Sequence, residues 1–322
     1  MTPQGAPRPR GLLGRLRRRW RERDPVTICV PAYNSADVIG ETLQSIASQT
    51  YRNIRVLISL DPSTDGTDKT CEPFLADPRF RLIRQQARLG WPDNVNWLLD
   101  QVRTGYYCII FHDDAVDADY VARLMRCLRK APDILCAYPL LKHFGRTPSE
   151  THIAGLGDGC FERALAFFSQ PLNSVPLRGL TRIEALRRGL RLREMGTGGY
   201  LAETLYVFEL ALLGRSKREK RTSYHSRYRP GSVSKGWQTW SDDRKRAAWR
   251  RLLREMNALI VRQDFTGEQR RMLLDAALPW AYQLATWLPA DAAEKAAIAD
   301  PARRASLTRA WLADPDGNPP LL

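Results

Sequence analysis

The feature that most restricts the fold is an alternation of apolar runs beginning at Val26. Residues 26–30, 54–60, 80–83, 106–111 and 134–138 are short and rich in β-branched and aromatic side chains, which reads as strands. Between them, residues 36–48, 65–75, 94–102 and 119–128 carry apolar positions at helical spacing. A strand that returns parallel to its neighbour needs a crossover long enough to hold a helix. The pattern therefore predicts an α/β domain with a mostly parallel sheet covered by helices on both faces. Such sheets bind ligands beyond the carboxyl ends of their strands. Residues 31–34, 61–65 and 112–114 are predicted to converge there.

Between residues 145 and 236 the periodicity is broken by glycines at 155, 157, 159, 196, 198 and 199. One helix stands out at residues 202–213, with Gly214 placed to stop it. Beyond Gly236 the chain reads as helices, including 242–262 and 267–288, which carry Trp237, Trp240, Trp249, Trp280 and Trp287. These tryptophans are expected to pack a core; acceptor binding or self-association is the other role open to them. The six cysteines show no metal or redox spacing, and several sit in apolar runs, so buried free thiols in a reducing compartment are expected. No apolar stretch reaches the ~20 residues of a membrane span, and the N-terminus lacks a secretion-signal pattern. A cytoplasmic location is expected.

Charge is the second constraint. Fifty Lys and Arg against 35 Asp and Glu give a formal charge of +15. That balance fits an anionic partner: nucleic acid, an anionic membrane surface or a phosphate-bearing substrate. Residues 1–24 form an arm in which Leu12, Leu13, Leu16 and Trp20 recur at helical spacing among Arg15, Arg17, Arg18, Arg19, Arg21 and Arg23. This is the pattern of a helix lying in a membrane interface, here the inner face of the cytoplasmic membrane. A solvated arginine-rich arm is the alternative. No nucleic-acid-binding motif occurs, so nucleic acid is not the expected partner.

Three strand ends bring the chemistry. The first reads Val30-Pro31-Ala32-Tyr33-Asn34, a turn with no specificity by itself. The second reads Leu60-Asp61-Pro62-Ser63-Thr64-Asp65-Gly66-Thr67. Asp61 is placed to accept hydrogen bonds from a base or ribose, and Asp65 to cap the following helix. The fourth delivers His112-Asp113-Asp114. Adjacent carboxylates repel unless a cation or a hydrogen-bond network compensates. A divalent metal bridging a diphosphate is one compensator, because hard cations take oxygen ligands; a solvated acidic loop is the alternative.

Taken in order with Leu89-Gly90-Trp91-Pro92-Asp93-Asn94-Val95-Asn96, these segments resemble the inverting glycosyltransferases of family two, which have the GT-A fold. The resemblance runs over residues 26–145, with a fainter echo to Ser234. It implies transfer of a sugar from a nucleoside-diphosphate-sugar, a UDP-sugar first among them, to a glycan, lipid-linked or polysaccharide acceptor with inversion. It also implies Pro31, Tyr33 and Asp61 around the base and Asn94 near the nucleotide. Asp114 would hold Mn2+ or Mg2+ across the diphosphate, with Asp113 beside it. His112 stands where the family usually has aspartate, and would ligate the metal or hydrogen-bond ribose or phosphate.

Inverting transfer needs a general base near the acceptor hydroxyl. The family's Glu-Asp pair corresponds here to Glu203-Thr204, and a threonine cannot serve. Glu203 is the expected base, with Asp158 as the alternative. The segment Arg227-Tyr228-Arg229-Pro230-Gly231-Ser232-Val233-Ser234 resembles the family's closing Arg-x-His-x-x-Ser loop. It would set Arg227 at the nucleotide and Arg229, in the histidine position, over the leaving diphosphate; a basic surface loop is the alternative. The departures at His112 and Thr204 also leave open an inactive relative that only binds nucleotide or a partner. The expected division is an arm at 1–24, a nucleotide-sugar half at 25–145, an acceptor half at 146–235 and a helical C-terminal extension at 236–322.

Overall fold

The computed structural model describes residues 24–144, 149–151, 157–170, 174–227, 233–283 and 291–313. Strands β1 (Val26–Ala32), β2 (Ile54–Leu60), β3 (Phe80–Arg84) and β4 (Tyr106–Ile109) run parallel in the order β3-β2-β1-β4. All seven residues of β1 are buried, as expected of a central strand covered on both faces. The crossovers carry helices α1 (Ile39–Ala47), α2 (Thr67–Cys71), α3 (Trp91–Asp100) and, after β4, α4 (Tyr120–Lys130).

The helix limits differ from the sequence expectation for local reasons. Before α1, the Val38 and Ile39 N–H groups both donate to the Ser35 carbonyl, so residues 35–38 make a turn. Helix α2 gives way to a 3-10 turn at Glu72–Ala76 because Pro73 has no N–H for the α ladder. Helix α3 begins at Trp91, with Pro92 in the first turn, where its missing N–H costs nothing.

The sheet continues past β4 through β5 (Ala115–Val116), β6 (Ile134–Phe144), β7 (Ser149–Thr151), β8 (Leu180–Arg182) and β9 (Arg215–Arg227). Its full order is β3-β2-β1-β4-β8-β6-β9-β5, with β7 paired to β6. Strand β8 is antiparallel to both β4 and β6, whereas β9 is parallel to β6. One sheet thus joins elements on both sides of residue 145. Helices α5 (Cys160–Phe168), α6 (Glu184–Arg187) and α7 (Ala202–Leu213) accompany this half. Ten of the twelve α7 residues are buried, so the helix is apolar all round and lies inside the molecule. It ends before Gly214, as expected, but Gly214 is extended, with φ −179°. A Cβ there would come within 2.9 Å of Leu135 Cβ, so close packing requires the glycine.

Helices α8 (Val233–Gln238), α9 (Asp242–Val261), α10 (Gly267–Gln283), α11 (Ala292–Ala299) and α12 (Pro301–Ala313) complete the described chain. They share the core of the α/β part: Trp280 packs against Phe167, Phe168 and Trp249 with ring centroids 5.4–5.7 Å apart, and its Nε1–H donates to the Gln170 carbonyl at 3.0 Å. Trp237 and Trp240 lie against Tyr200, each at 5.4 Å; Trp287 lies outside the described residues. All six cysteines are free thiols, five of them buried. Among the described residues no helix is long and apolar enough to cross a membrane.

Candidate active site

The carboxyl ends of β1, β2 and β4 form one connected loop cluster. Asn34, held at φ 41°, donates its N–H to Ser63 Oγ at 3.0 Å and accepts the Thr64 N–H at 3.1 Å. Asp65 receives the N–H of Ala36 at 2.9 Å and of Thr67 at 3.0 Å, and the Thr67 hydroxyl at 2.6 Å. Burial pushes the Asp65 carboxyl up, but the Thr67 hydroxyl and these amides together hold it below its ordinary value. Asp65 therefore braces the first two loops against each other. Beside them the Tyr33 ring lies under the Arg88 guanidinium at 4.0 Å.

Asp61 is 1% exposed, and its two oxygens accept the Leu89 N–H at 3.2 Å and the Gly90 N–H at 3.0 Å. It thereby clamps the turn that leads into α3. Asn94, one turn along that helix, donates its amide to the Ser59 carbonyl at 3.1 Å. Among the described residues, its buried Oδ1 has no hydrogen-bond partner. A buried acceptor without a donor is costly and rare, which makes this atom available to a ligand N–H or O–H.

Beyond β4, the Thr42 hydroxyl lies 2.8 Å from the His112 carbonyl and 2.7 Å from that of Asp114, pinning the acidic loop to α1. His112 Nδ1 is 3.1 Å from the Pro31 carbonyl. A carbonyl only accepts, so Nδ1 carries the proton, which leaves Nε2 as the ring nitrogen with a free lone pair. Asp114 is 4% exposed, and its Oδ1 accepts the Arg227 N–H at 2.8 Å. Burial and the neighbouring Asp113 carboxylate push Asp114 up to about 7, against the pull of Arg178, the Arg227 amide and the Tyr224 hydroxyl. Arg227 also donates its Nε–H to the Asp113 carbonyl at 3.1 Å and pairs with Glu41.

Arg178 and Tyr224 carry no signal in the sequence, yet they join the two sides of this site. Arg178 ends a 3-10 turn (Val175–Arg178), and its guanidinium lies 5.3 Å from the Phe111 ring and 5.5 Å from the Tyr224 ring. One of its nitrogens is 3.7 Å from the Glu203 carboxylate. Burial lowers its affinity for the proton, but Glu203, Tyr224, Asp114 and Asp113 together raise it above the ordinary value. The Tyr224 hydroxyl accepts the Phe111 N–H at 3.0 Å.

Glu203 occupies the first turn of α7. It follows Leu201, at φ 65°, and a loop whose Gly196, Thr197 and Gly199 N–H groups all donate to the Glu194 carboxylate. Its side chain is 31% exposed, open enough for a substrate to reach. Asp158 is placed elsewhere: it pairs with Arg215 at 2.9 Å, beside Ile134 at the start of β6, with Arg227 and Asp114 at the other end of β9. Arg229 lies outside the described residues.

The described residues contain no group of three or more His, Cys, Asp or Glu that could hold a metal ion. They do offer a buried carboxylate raised by a neighbouring one, and that repulsion is relieved by a cation. Such a donor set fits a divalent ion that takes its remaining oxygens from phosphate and water.

Residues 27–179 match the sequence model of glycosyl transferase family 2. Glycosyltransferase GlyA of Streptococcus pneumoniae serotype 4 is 25% identical over 228 residues, 66% of this chain and 32% of GlyA, so the chain spans about a third of that protein's length. The crystal structure of S. aureus TarS 1–349 in complex with UDP-GlcNAc superposes with a TM-score of 0.66 at 16% identity, over 91% of this chain and 88% of TarS 1–349. Mannosyltransferase PcManGT from Pyrobaculum calidifontis, in complex with GDP-Man and Mn2+, superposes with a TM-score of 0.51 at 17% identity, over 94% and 91% of the two chains. At such identities the likeness is one of fold. Residues 27–179 of this chain belong to glycosyl transferase family 2, on a GT-A fold.

Proposed function

We propose that the chain transfers a sugar from a nucleoside-diphosphate-sugar, a UDP-sugar first among them, to a hydroxyl of a glycan, lipid-linked or polysaccharide acceptor, with inversion. The observation that carries this reading is the meeting of Asp61, Asn94 and the His112-Asp113-Asp114 loop at the carboxyl ends of three parallel strands, within the family-matched segment. TarS and PcManGT, solved with UDP-GlcNAc and with GDP-Man and Mn2+, support the donor class.

In this reading Pro31, Tyr33 and Asp61 hold the base. The Asp61 oxygens keep lone pairs beyond those given to Leu89 and Gly90. Asn94 Oδ1 accepts from the nucleotide. Asp114, with His112 Nε2, would hold a divalent cation, whose chemistry is to neutralise charge on the departing diphosphate. Arg227 fixes the acidic loop, and Arg229, outside the described residues, is assigned to the same diphosphate by its place in the closing Arg-x-His-x-x-Ser-like loop. Glu203 takes the acceptor proton as the hydroxyl oxygen bonds to the anomeric carbon and the anomeric bond to diphosphate breaks on the opposite side. Arg178, 3.7 Å from Glu203, helps fix the position of its carboxylate. Residues 1–24 bring the domain to the inner face of the cytoplasmic membrane.

The test is release of nucleoside diphosphate from a panel of UDP-, GDP- and dTDP-sugars by the purified chain with Mn2+. The reading predicts turnover of at least one donor, lost in Glu203→Gln. Nucleotide binding without turnover of any donor would instead identify an inactive relative.

A further inference from the structure

The positive charge of this chain is concentrated in the N-terminal arm and in two elements that pack together. Residues 1–23 hold eight Arg and one Glu, a net of +7. Helix α4 holds four cations and no acid, and β9 six cations and one acid, for +4 and +5. Together they carry +16, against +15 for the whole chain, which leaves the rest of the molecule at −1.

The fold puts α4 and β9 side by side. Lys130 of α4 and Lys217, Glu219 and Arg221 of β9 all act electrostatically on the buried thiol of Cys127 at the seam between helix and strand. Asp24, the last residue of the arm and the first described one, pairs with Arg129 of α4 at 2.8 Å, so the described chain begins at this face. The acids nearby are already engaged: Asp119 by Arg123, Asp24 by Arg129, Asp133 by Arg215 and Glu219 by Arg221. Arg126, Lys130, Lys217 and Lys220 are exposed, and among the described residues none has a carboxylate within 4.0 Å.

We propose that the α4–β9 face is a docking surface for an anionic lipid bilayer, engaged together with the N-terminal arm. The arm decides the partner class. Its Leu12, Leu13, Leu16 and Trp20 supply apolar anchoring that a bilayer uses and a nucleic acid does not. The folded face supplies cations at fixed positions, each strengthening binding to an anionic surface about fivefold. This inference rests on the membrane reading of residues 1–24 and extends it to the folded domain; it is independent of the sugar-transfer chemistry.

The experiment is co-sedimentation of the full chain with phosphatidylcholine vesicles containing or lacking phosphatidylglycerol, at low and moderate salt. Three chains are compared: the natural sequence, the reversal R126E/K130E/K217E/K220E, and an equal reversal R55E/R81E/K295E/R309E of exposed cations elsewhere. Calorimetric UDP binding and thermal melting check that each variant is folded, and the glutamine versions replace any that is not. The face predicts salt-sensitive binding to the anionic vesicles only, weakened at least about tenfold in the α4–β9 variant and by less than about threefold in the control. Equal losses in both variants, no loss in the α4–β9 variant, or no preference for anionic vesicles overturns it. So does tighter capture by single-stranded RNA than by vesicles at matched charge.

Discussion

Asp61 is the residue whose removal has the most calculable consequence. Its carboxylate is buried and takes two backbone N–H groups, from Leu89 and Gly90, one on each oxygen. In Asp61→Asn the side chain keeps one acceptor and turns an NH2 toward the other N–H. One charge-assisted bond becomes neutral, the other becomes a donor facing a donor, and a buried N–H loses its partner. Bonds to charged groups contribute about 1.5–3 kcal/mol and an orphaned buried donor costs about 1–3 kcal/mol. Relief from burying a charge offsets part of this, so a net loss of about 2–4 kcal/mol is expected. At roughly 2–4 °C per kcal/mol for a domain of this size, thermal melting by circular dichroism should fall by about 4–16 °C. Measured well below the melting range, UDP affinity should fall as well, because the same carboxylate is proposed to hold the base. A melting temperature within a degree or two of the natural chain would refute the clamp, whatever happened to nucleotide binding.

Glu203→Gln should lower sugar transfer by about 10²–10⁴-fold with UDP affinity unchanged, read from initial rates and calorimetry. Gly199→Ala should destabilise by about 3 kcal/mol in urea melts, since φ is +83° and a Cβ would sit 2.0 Å from Trp91 Nε1. Gly198→Ala, at φ +57° with open space around it, should cost only about 1 kcal/mol. At Glu194 burial pushes the carboxyl up, but the backbone N–H groups of Gly199, Thr197 and Gly196 hold it below its ordinary value. A depressed carboxylate stabilises above its unfolded pKa and loses that contribution as pH falls through the folded one. Glu194→Gln should therefore be less stable than the natural chain at pH 7, and chemical denaturation at falling pH should show the gap close below about pH 4.5.

The parallel half of the sheet was legible because β1, β4 and the carboxyl half of β2 are buried almost throughout and read as near-continuous apolar runs. Strand β9 was not, because its sequence is mostly Arg, Lys and Ser up to residue 221 and its buried positions there are few. That is the composition of a charged sheet edge, which gives no apolar alternation to read. The same blindness hid Tyr224 and, through it, the wall of the site. Arg178 was invisible for a different reason: one arginine among fifty basic residues has no local signature, and only the folded chain sets it between Phe111, Tyr224 and Glu203. Asp61, Asp65 and Asp114 stood out because they fall in the short loops that follow apolar strands. Asp65 turned out to brace two loops, close to the capping role expected of it.

The donor site is tested most directly by calorimetric titration with UDP in the presence of Mn2+, repeated after chelation and with Asp114→Ala. The account predicts binding by the natural chain, weakened by chelation and lost or greatly weakened in the variant. Equal UDP affinity in all three titrations would contradict it, because the His112-Asp113-Asp114 loop would then have no part in holding the diphosphate.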